Sequence, residues 1–577
     1  MESDTNPSCS SSESSVSAKK RKYLQKYNVS WESNPAFTGW LSISKKGEGY
    51  AYCKACMCDL SVSAAGKVEI EKHSKGTWVG GGYINGTAEV MFTSGLAWCQ
   101  VPIGYSLSLL IGMLLFVRPM RDARYITMLD PFQAKYGSRV GGLLYLPALL
   151  GDVFWVGAIL NALGSSLMVI LELDMMSSVI VSTVFAAAYT MAGGLYSVTY
   201  TDVLQLVCII FGLVLSVPFA YLHPAVSREV VAETDWMGTL ETADVGTWVD
   251  SGLLLMFGGI PWQGYFQRIL SIKSTFSAQM LSLAAMFGCM VMAVPPAFIG
   301  VLARATEWDK VDGYNRNVTT SEGEIILPLV LRFLTPGWVS FFGLGAISAA
   351  VMSSADSSIL GSSSMFSRNI YKLAVRPKAS EREVLWVLRI AVVFVSTLSA
   401  VVALTVGSVY YLSYLCSDLV YVILFPQLLL VVHWADGVNT YGCLASYVVG
   451  LLVRLLGGEK GLGVPVVLRF PYYDAATDTQ RFPFKTLAML CALCAHVLAS
   501  CAARLLFEGG WLPAGRWDVL GAFPHLGDGP PAAKGEGELY RQVSPDTPIV
   551  SLDEGSAGKE GLENPAMADV CHKDSRF

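Results

Sequence analysis

Thr77-Trp-Val-Gly-Gly-Gly-Tyr-Ile-Asn-Gly-Thr-Ala-Glu89 is the stretch that decides the fold, and it opens a long apolar region. Its consecutive glycines are unfavourable in a helix, because each costs roughly 1 kcal/mol relative to alanine. A membrane protein keeps such a run where a helix unwinds to present carbonyls to an ion or substrate. It also keeps one where two helices approach closely. The run alone favours these two interpretations equally.

The composition indicates a membrane protein with many spans. The chain has 577 residues, of which 53% are hydrophobic and 15% charged, whereas soluble domains carry about 25% charged residues. We therefore predict an all-α polytopic protein. Apolar segments of spanning length lie near 96–117, 142–171, 178–196, 203–222, 250–270, 280–303, 337–366, 386–407, 410–433, 440–456 and 486–507.

The regions outside the apolar part have a different character. Residues 1–26 are rich in Ser, Glu and Lys, and residues 508–577 are rich in Gly, Pro, Asp and Glu. Such compositions predict disorder. A P-loop, a nucleophile elbow and a His-Glu-x-x-His motif are all missing from the sequence, so nothing indicates an enzyme.

Positive charge predicts the orientation in the membrane. Basic residues concentrate at 118–139 and 368–382, and such segments stay in the cytoplasm. The loops at 223–249, 304–324 and 457–485 then lie outside, and the tail after 507 lies in the cytoplasm. The 304–324 loop contains Asn317-Val-Thr319, a sequon that predicts glycosylation at Asn317.

A serine-rich membrane segment is the strongest candidate ion site. Ala349-Ala-Val-Met-Ser-Ser-Ala-Asp-Ser-Ser358 offers hard oxygen ligands, which suit a small alkali cation. Serines in a helix also bond back to the carbonyl four residues earlier, which would account for Ser357 or Ser358. That alternative leaves Asp356 without an explanation, because a carboxylate inside a membrane needs a partner or an ion.

Several aromatic residues stand beside helix-breaking glycine or proline. They are Trp78, Tyr105, Trp155 and Trp262. If these rings converged on one pocket, they would suit a quaternary ammonium ligand through cation–π contact. For any one of them considered alone, packing in the core is the simpler interpretation.

These motifs resemble the sodium/solute symporter family, and within it the choline-transporting branch. The resemblance covers about three-quarters of the chain, from Thr77 to Phe507. It rests on the glycine run at 77–89, the serine segment at 349–358, and on Thr127-Met-Leu-Asp-Pro-Phe-Gln133, Gly193-Gly-Leu-Tyr-Ser197, Gly258-Gly-Ile-Pro-Trp262 and Phe482-Pro-Phe-Lys-Thr-Leu-Ala488.

The resemblance implies an inverted five-helix repeat and sodium-driven alternating access. It implies a sodium site made by backbone carbonyls of Gly76, Val79 and Ala350 with the hydroxyls of Ser353 and Ser354. It also implies a choline site at Trp78, Tyr105, Trp155 and Trp262, an essential Asp356, and chloride dependence. The expected role is choline uptake for acetylcholine synthesis, at the plasma membrane of nerve terminals and in synaptic vesicle membranes.

The front of the chain departs from the family pattern. The first helix and part of the first core helix are expected to be missing before a membrane domain that spans 76–507. Residues 27–75 instead resemble a transposase-type zinc finger, with Cys53, Cys56 and His73 as ligands. A fourth zinc ligand is lacking, which indicates that the finger module is truncated within its metal site. The chain is therefore expected to be a chimera.

Three functions remain open at this point. The first is sodium- and chloride-dependent choline uptake, and an inactive or chimeric form of such a transporter belongs with it. The second is symport of another organic solute on the same scaffold. The third is a DNA-binding or regulatory role for the finger-like segment.

Overall fold

The computed structural model describes residues 28, 41–43, 50–53, 58–61, 81–233, 235–272, 274–523 and 526. Ahead of the membrane region lie three short strands, β1 (Leu41–Ile43), β2 (Tyr50–Cys53) and β3 (Cys58–Ser61). They form an antiparallel sheet in the order β1-β2-β3, in which Cys53 pairs with Cys58.

The first half of the membrane region is mainly helical in the described residues. Its helices are α1 (Gly81–Thr93), α2 (Gln100–Gly112), α3 (Arg118–Asp122), α4 (Asp130–Leu143), α5 (Tyr145–Leu171), α6 (Met175–Tyr221), α7 (Arg228–Glu233), α8 (Val245–Gly258) and α9 (Gln263–Leu270). A π-helical segment, Met113–Val117, joins α2 to α3 without a break.

The second half continues the pattern. Its helices are α10 (Thr275–Arg304), α11 (Ile326–Phe333), α12 (Gly337–Met365), α13 (Glu381–Thr405), α14 (Val409–Leu419), α15 (Phe425–His433), α16 (Thr440–Leu456), α17 (Phe484–Glu508) and α18 (Ala514–Trp517). Two further π-helical segments extend α12 at Phe366–Val375 and join α14 to α15 at Val420–Leu424. A small hairpin, β4 (Tyr473–Asp474) with β5 (Thr479–Gln480), lies between α16 and α17.

The apolar helices agree with the predicted spans, with two differences. Seven continuous helical stretches in the described residues are long and apolar enough to cross a membrane. The predicted segments 178–196 and 203–222 lie in one helix, α6, whose 47 residues would measure about 70 Å, more than twice a bilayer core. The predicted segment 250–270 is broken between α8 and α9, where Pro261 supplies no backbone donor.

Small residues allow the central helices to pack closely. A Cβ added at Gly82 would lie 3.5 Å from the Cβ of Ala158 on α5, and one added at Gly86 would lie 3.5 Å from the Cα of Tyr410 on α14. In the described part of the glycine run, close helix contact is therefore what the structure contains.

A polar cluster ties the loop before α4 to the end of α12 on the predicted cytoplasmic side. The carboxylate of Asp130 accepts hydrogen bonds from the Thr127 amide at 3.0 Å and from Asn369 Nδ2 at 3.1 Å. The Asn369 amide also donates to Thr127 Oγ1 at 3.1 Å and to Gln133 Oε1 at 2.7 Å. These bonds explain why a polar motif, Thr127–Gln133, occurs in a membrane protein.

A buried ionic cluster joins three helices on the predicted outer side. Arg454 on α16 is 4% exposed and donates its Nε to both carboxylate oxygens of Asp418 on α14, each at 2.8 Å. It also pairs with Glu459 at 2.5 Å, and Lys485 on α17 lies 3.4 Å from Asp418. The charges compensate one another, which is how buried ions are tolerated.

Ordered structure continues past the predicted end of the membrane domain at residue 507. Phe523 packs with Phe507, and the hydroxyl of Tyr441 on α16 donates to Asp518 at 2.9 Å. The segment after α17 therefore covers apolar surface that α16 and α17 would otherwise expose. The remainder of the predicted tail lies outside the described residues, apart from residue 526.

Candidate substrate and ion site

A cavity of about 800 Å³, including the open space at its mouth, lies between the central helices. The walls come from α1, α2, α5, α9, α10 and α12, and from the break between α8 and α9. The lining residues are Tyr83, Tyr105, Ser108, Leu109, Trp155, Gly259, Trp262, Gly264, Arg268, Cys289, Ser353, Ser354, Ser357 and Ser358.

The break between α8 and α9 brings irregular backbone to the cavity. Trp262 has extended backbone angles, φ −121° and ψ 123°, immediately before α9 begins. Two glycines allow this backbone to lie close to α14 and α2. A Cβ at Gly258 would lie 2.5 Å from the Ser417 carbonyl oxygen, and one at Gly259 would lie 2.7 Å from Ser108 Oγ. Non-helical backbone at membrane depth is tolerated where it lines such a cavity.

Three of the four predicted aromatic residues meet in this cavity. The ring centroids of Tyr105 and Trp155 are 5.9 Å apart, and those of Trp155 and Trp262 are 6.4 Å apart, both pairs edge-to-face. The Tyr105 hydroxyl donates to the Ser413 carbonyl at 3.0 Å, which fixes its ring. The fourth residue, Trp78, lies outside the described residues.

The serine segment lines the same cavity as the aromatic residues. Ser353 and Ser354 both line the cavity. The Ser354 hydroxyl donates to the Ala350 carbonyl at 2.8 Å, so the back-bonding alternative holds for this serine. Thus three of the predicted sodium ligands lie together, and the other two, Gly76 and Val79, fall outside the described residues.

Asp356 does not line the cavity. It is 1% exposed and lies on the other face of α12, where its Oδ1 accepts a hydrogen bond from Thr190 Oγ1 of α6 at 2.9 Å. A neighbouring helix therefore supplies a partner for the carboxylate that the sequence left unexplained.

Sequence reasoning missed two polar features of the cavity. Tyr83 lies within the glycine run and donates its hydroxyl to the Cys289 carbonyl at 2.5 Å. Arg268 is the single charged residue among the described residues that line the cavity, and it donates to Ser357 Oγ at 2.9 Å. The sequence could have identified Arg268 because it lies inside a predicted span, and an arginine at membrane depth faces a polar site.

The remaining predicted site residues lie elsewhere. Asn317 is exposed in the loop between α10 and α11. Cys53 ends β2, while Cys56 and His73 are outside the described residues. Within the described ranges, no group of three His, Cys, Asp or Glu residues could hold a metal ion.

Comparison with known proteins relates this geometry to a family. Residues 73–450 match the Sodium:solute symporter family. The chain is 54% identical over 438 residues to the High-affinity choline transporter 1 of Drosophila melanogaster, covering 76% of this chain and 71% of that protein. It is 53% identical over 458 residues to the High affinity choline transporter 1 of Homo sapiens, covering 77% and 79%.

A solved structure shares the fold. The substrate-bound, outward-open structure of a Na+-coupled sialic acid symporter aligns with a TM-score of 0.58 at 16% identity, covering 75% of this chain and 88% of that chain. The inverted-repeat symporter fold predicted from the sequence is thereby confirmed. The broken helix at the cavity, the family match and these relatives agree, and the chain belongs to the sodium:solute symporter family.

Proposed function

We propose that this chain takes up choline in a sodium-coupled, chloride-dependent cycle. The relatives that are 54% and 53% identical are named as high-affinity choline transporters. The observation that carries the proposal is the group of three aromatic rings, Tyr105, Trp155 and Trp262, around one cavity.

The chemistry of the cavity suits a quaternary ammonium group. Such a group carries no N–H to donate, so it is recognised by the faces of aromatic rings rather than by carbonyls. None of the described residues that line the cavity is acidic, which leaves the rings as the feature that attracts a cation. Trp78, three residues before the described α1, completes the proposed choline site.

Uptake of labelled choline in cells that express the chain tests the proposal. Each ring contributes roughly 0.5–2 kcal/mol, so Trp262→Ala should raise the KM for choline several-fold or abolish uptake at equal surface expression. Trp338→Ala is the matched control, because Trp338 is 55% exposed on α12, away from the cavity. Sodium-independent uptake would refute the sodium coupling. Equal behaviour of the two variants would refute the choline site.

We place the coupled sodium at the carbonyls of Gly76, Val79 and Ala350 and the hydroxyls of Ser353 and Ser354. Ser354→Ala should raise the sodium concentration that gives half-maximal uptake. Ser348→Ala is the control, because the Ser348 hydroxyl also bonds back to a carbonyl, that of Leu344 at 3.0 Å, but does not line the cavity. An unchanged sodium dependence in the first variant would exclude this site.

Asp356 is proposed as a transport-essential residue that acts through α6. Asp356→Asn should abolish uptake, and Thr190→Val, which removes the 2.9 Å bond at nearly constant volume, should reduce it in the same direction. Full activity in both variants would show that the contact only packs two helices.

Arg268 is the observation that favours an anion in the cavity. It lies six residues after Trp262, and six residues of helix span about 9 Å. The aromatic rings and the guanidinium group of Arg268 therefore lie at separate ends of the cavity. A guanidinium there supports chloride dependence. It equally supports the second candidate function, symport of an organic solute that carries an acidic group. Chloride replacement by gluconate distinguishes them, because only the choline transporter should lose uptake.

Three further proposals concern the cell and the periphery. The chain works in the plasma membrane of nerve terminals and in synaptic vesicles, supplying acetylcholine synthesis. Asn317 carries a glycan, which enzymatic deglycosylation would reveal as a mobility change absent from Asn317→Gln. Residues 27–75 bind zinc through Cys53, Cys56 and His73, and metal analysis of the full chain against Cys56→Ser tests this.

A further inference from the structure

Asp152 is a buried carboxylate to which the choline and sodium sites assign no role. It lies on α5 and is 4% exposed. Its Oδ2 is buried and has no hydrogen-bond partner among the described residues. The Ser362 hydroxyl on α12 bonds to the carboxylate, and the Tyr145 hydroxyl donates in turn to the Ser362 carbonyl at 3.2 Å.

No positive charge balances Asp152 within the described part of the chain. The ion pairs found there involve other carboxylates, such as Asp418 with Arg454. Asp152 lies seven residues, about 10 Å, inside the end of α5, which places it at membrane depth. An ionised carboxylate left alone there would cost several kcal/mol, so the group must hold a cation or a proton.

The position connects Asp152 to the cavity. It precedes Trp155 by three residues and Ser362 follows Ser358 by four, so both lie about one turn beyond cavity-lining residues, toward the predicted cytoplasmic side. Carboxylate and hydroxyl oxygens are the ligands that hard monovalent cations prefer.

We propose that Asp152 and Ser362 bind Na+ directly beneath the aromatic cavity. This site adds a second cation to the transport cycle, separate from the one at Ala350, Ser353 and Ser354. The inference rests on the proposed sodium-coupled function, and its test contains no organic solute, so the two can fail independently.

The first experiment titrates the purified full chain with NaCl at constant ionic strength and follows tryptophan fluorescence, since Trp155 lies one turn away. Asp152→Asn keeps the shape and removes the charge. We expect the wild type to show two sodium-binding steps, or a Hill coefficient above one, and the variant to show a single step. Asp174→Asn, an exposed N-cap of α6, should match the wild type. Identical titrations of Asp152→Asn and wild type would overturn the proposal.

The second experiment tests whether Na+ displaces a proton from Asp152 in the wild-type protein, so its result does not depend on the folding of the Asp152→Asn variant. Infrared difference spectra should show the band of a protonated carboxyl group that disappears on adding Na+ at constant pH, and Asp152→Asn should lack it. Loss of the band on adding Na+ at constant pH supports the sodium site, whereas loss with pH alone would overturn it. A band from Asp152 that responds to neither would overturn the proposal. Ser362→Ala, which retains the charge, should weaken the cation response by about tenfold.

Discussion

The substitution Gly258→Ala tests whether close backbone contact shapes the cavity. The new Cβ would lie 2.5 Å from the Ser417 carbonyl oxygen and 3.1 Å from the Cβ of Tyr421, where ordinary contacts begin at 3.4 Å. The end of α8 and α14 must therefore separate by about 0.9 Å, the difference between 3.4 and 2.5 Å. Overpacking of this kind costs about 1–3 kcal/mol, and the better helix propensity of alanine returns up to about 1 kcal/mol.

The control is Gly288→Ala on α10, where an added Cβ meets nothing within 4 Å. It should gain about 0.4–1 kcal/mol, because alanine restricts the unfolded chain. Thermal unfolding of the purified protein should therefore move in opposite directions for the two variants. Gly258→Ala should also raise the KM for choline, because Trp262 follows the displaced backbone. Equal melting temperatures and equal KM values would refute the reasoning.

Three further outcomes are expected. Arg454→Gln leaves two carboxylates, the buried Asp418 and the partly buried Glu459, with Lys485 as their remaining cation in the cluster, and should cost about 3–5 kcal/mol in thermal or denaturant unfolding; a loss below 1 kcal/mol would contradict it. Asn369→Ala removes the hydrogen bonds that hold the loop before α4, so hydrogen exchange at 126–133 should accelerate while the rest of the protein is unchanged. The hydrogen bond from Arg316 lowers the pKa of Glu322; the resulting stabilisation is present above the ordinary pKa and is lost as the pH falls through the lowered one. Proteolysis of the 314–325 loop should therefore rise as the pH falls below the ordinary carboxyl pKa toward the lowered one, and Glu322→Gln should remove the pH dependence.

The sequence predicted which residue types line the cavity better than it predicted which helices bring them together. Tyr105, Trp155 and Trp262 were identifiable because each stands near glycine or proline that breaks or loosens a helix. Their convergence depends on distances between α2, α5 and the α8–α9 break, which local patterns do not contain. Ser353 and Ser354 were found because serines at membrane depth are costly unless they serve a purpose.

Other features required three dimensions. Asp356 carried a clear signal, but its partner Thr190 lies 166 positions away, and only helix packing brings them together. Arg268 and Asp152 were not selected, because the segments around them are read first as ordinary apolar spans. The break in the predicted segment 250–270 occurs at Gly258–Trp262, whose glycines and proline are visible in the sequence, whereas no local pattern between residues 196 and 203 shows that the two predicted segments form one helix, α6.

The π-helical segments have a consequence for how the chain tolerates changes in length. Met113–Val117, Phe366–Val375 and Val420–Leu424 each close hydrogen bonds over five residues rather than four. Each therefore accommodates a surplus residue while the helix on either side keeps its direction. Deleting one residue there would restore an α-helical turn and leave the flanking side chains in register, whereas the same deletion in α5 would rotate Trp155 about 100° away from the cavity. In the part of the chain that the structure describes, these segments are places where a helix can lose a residue without losing the site.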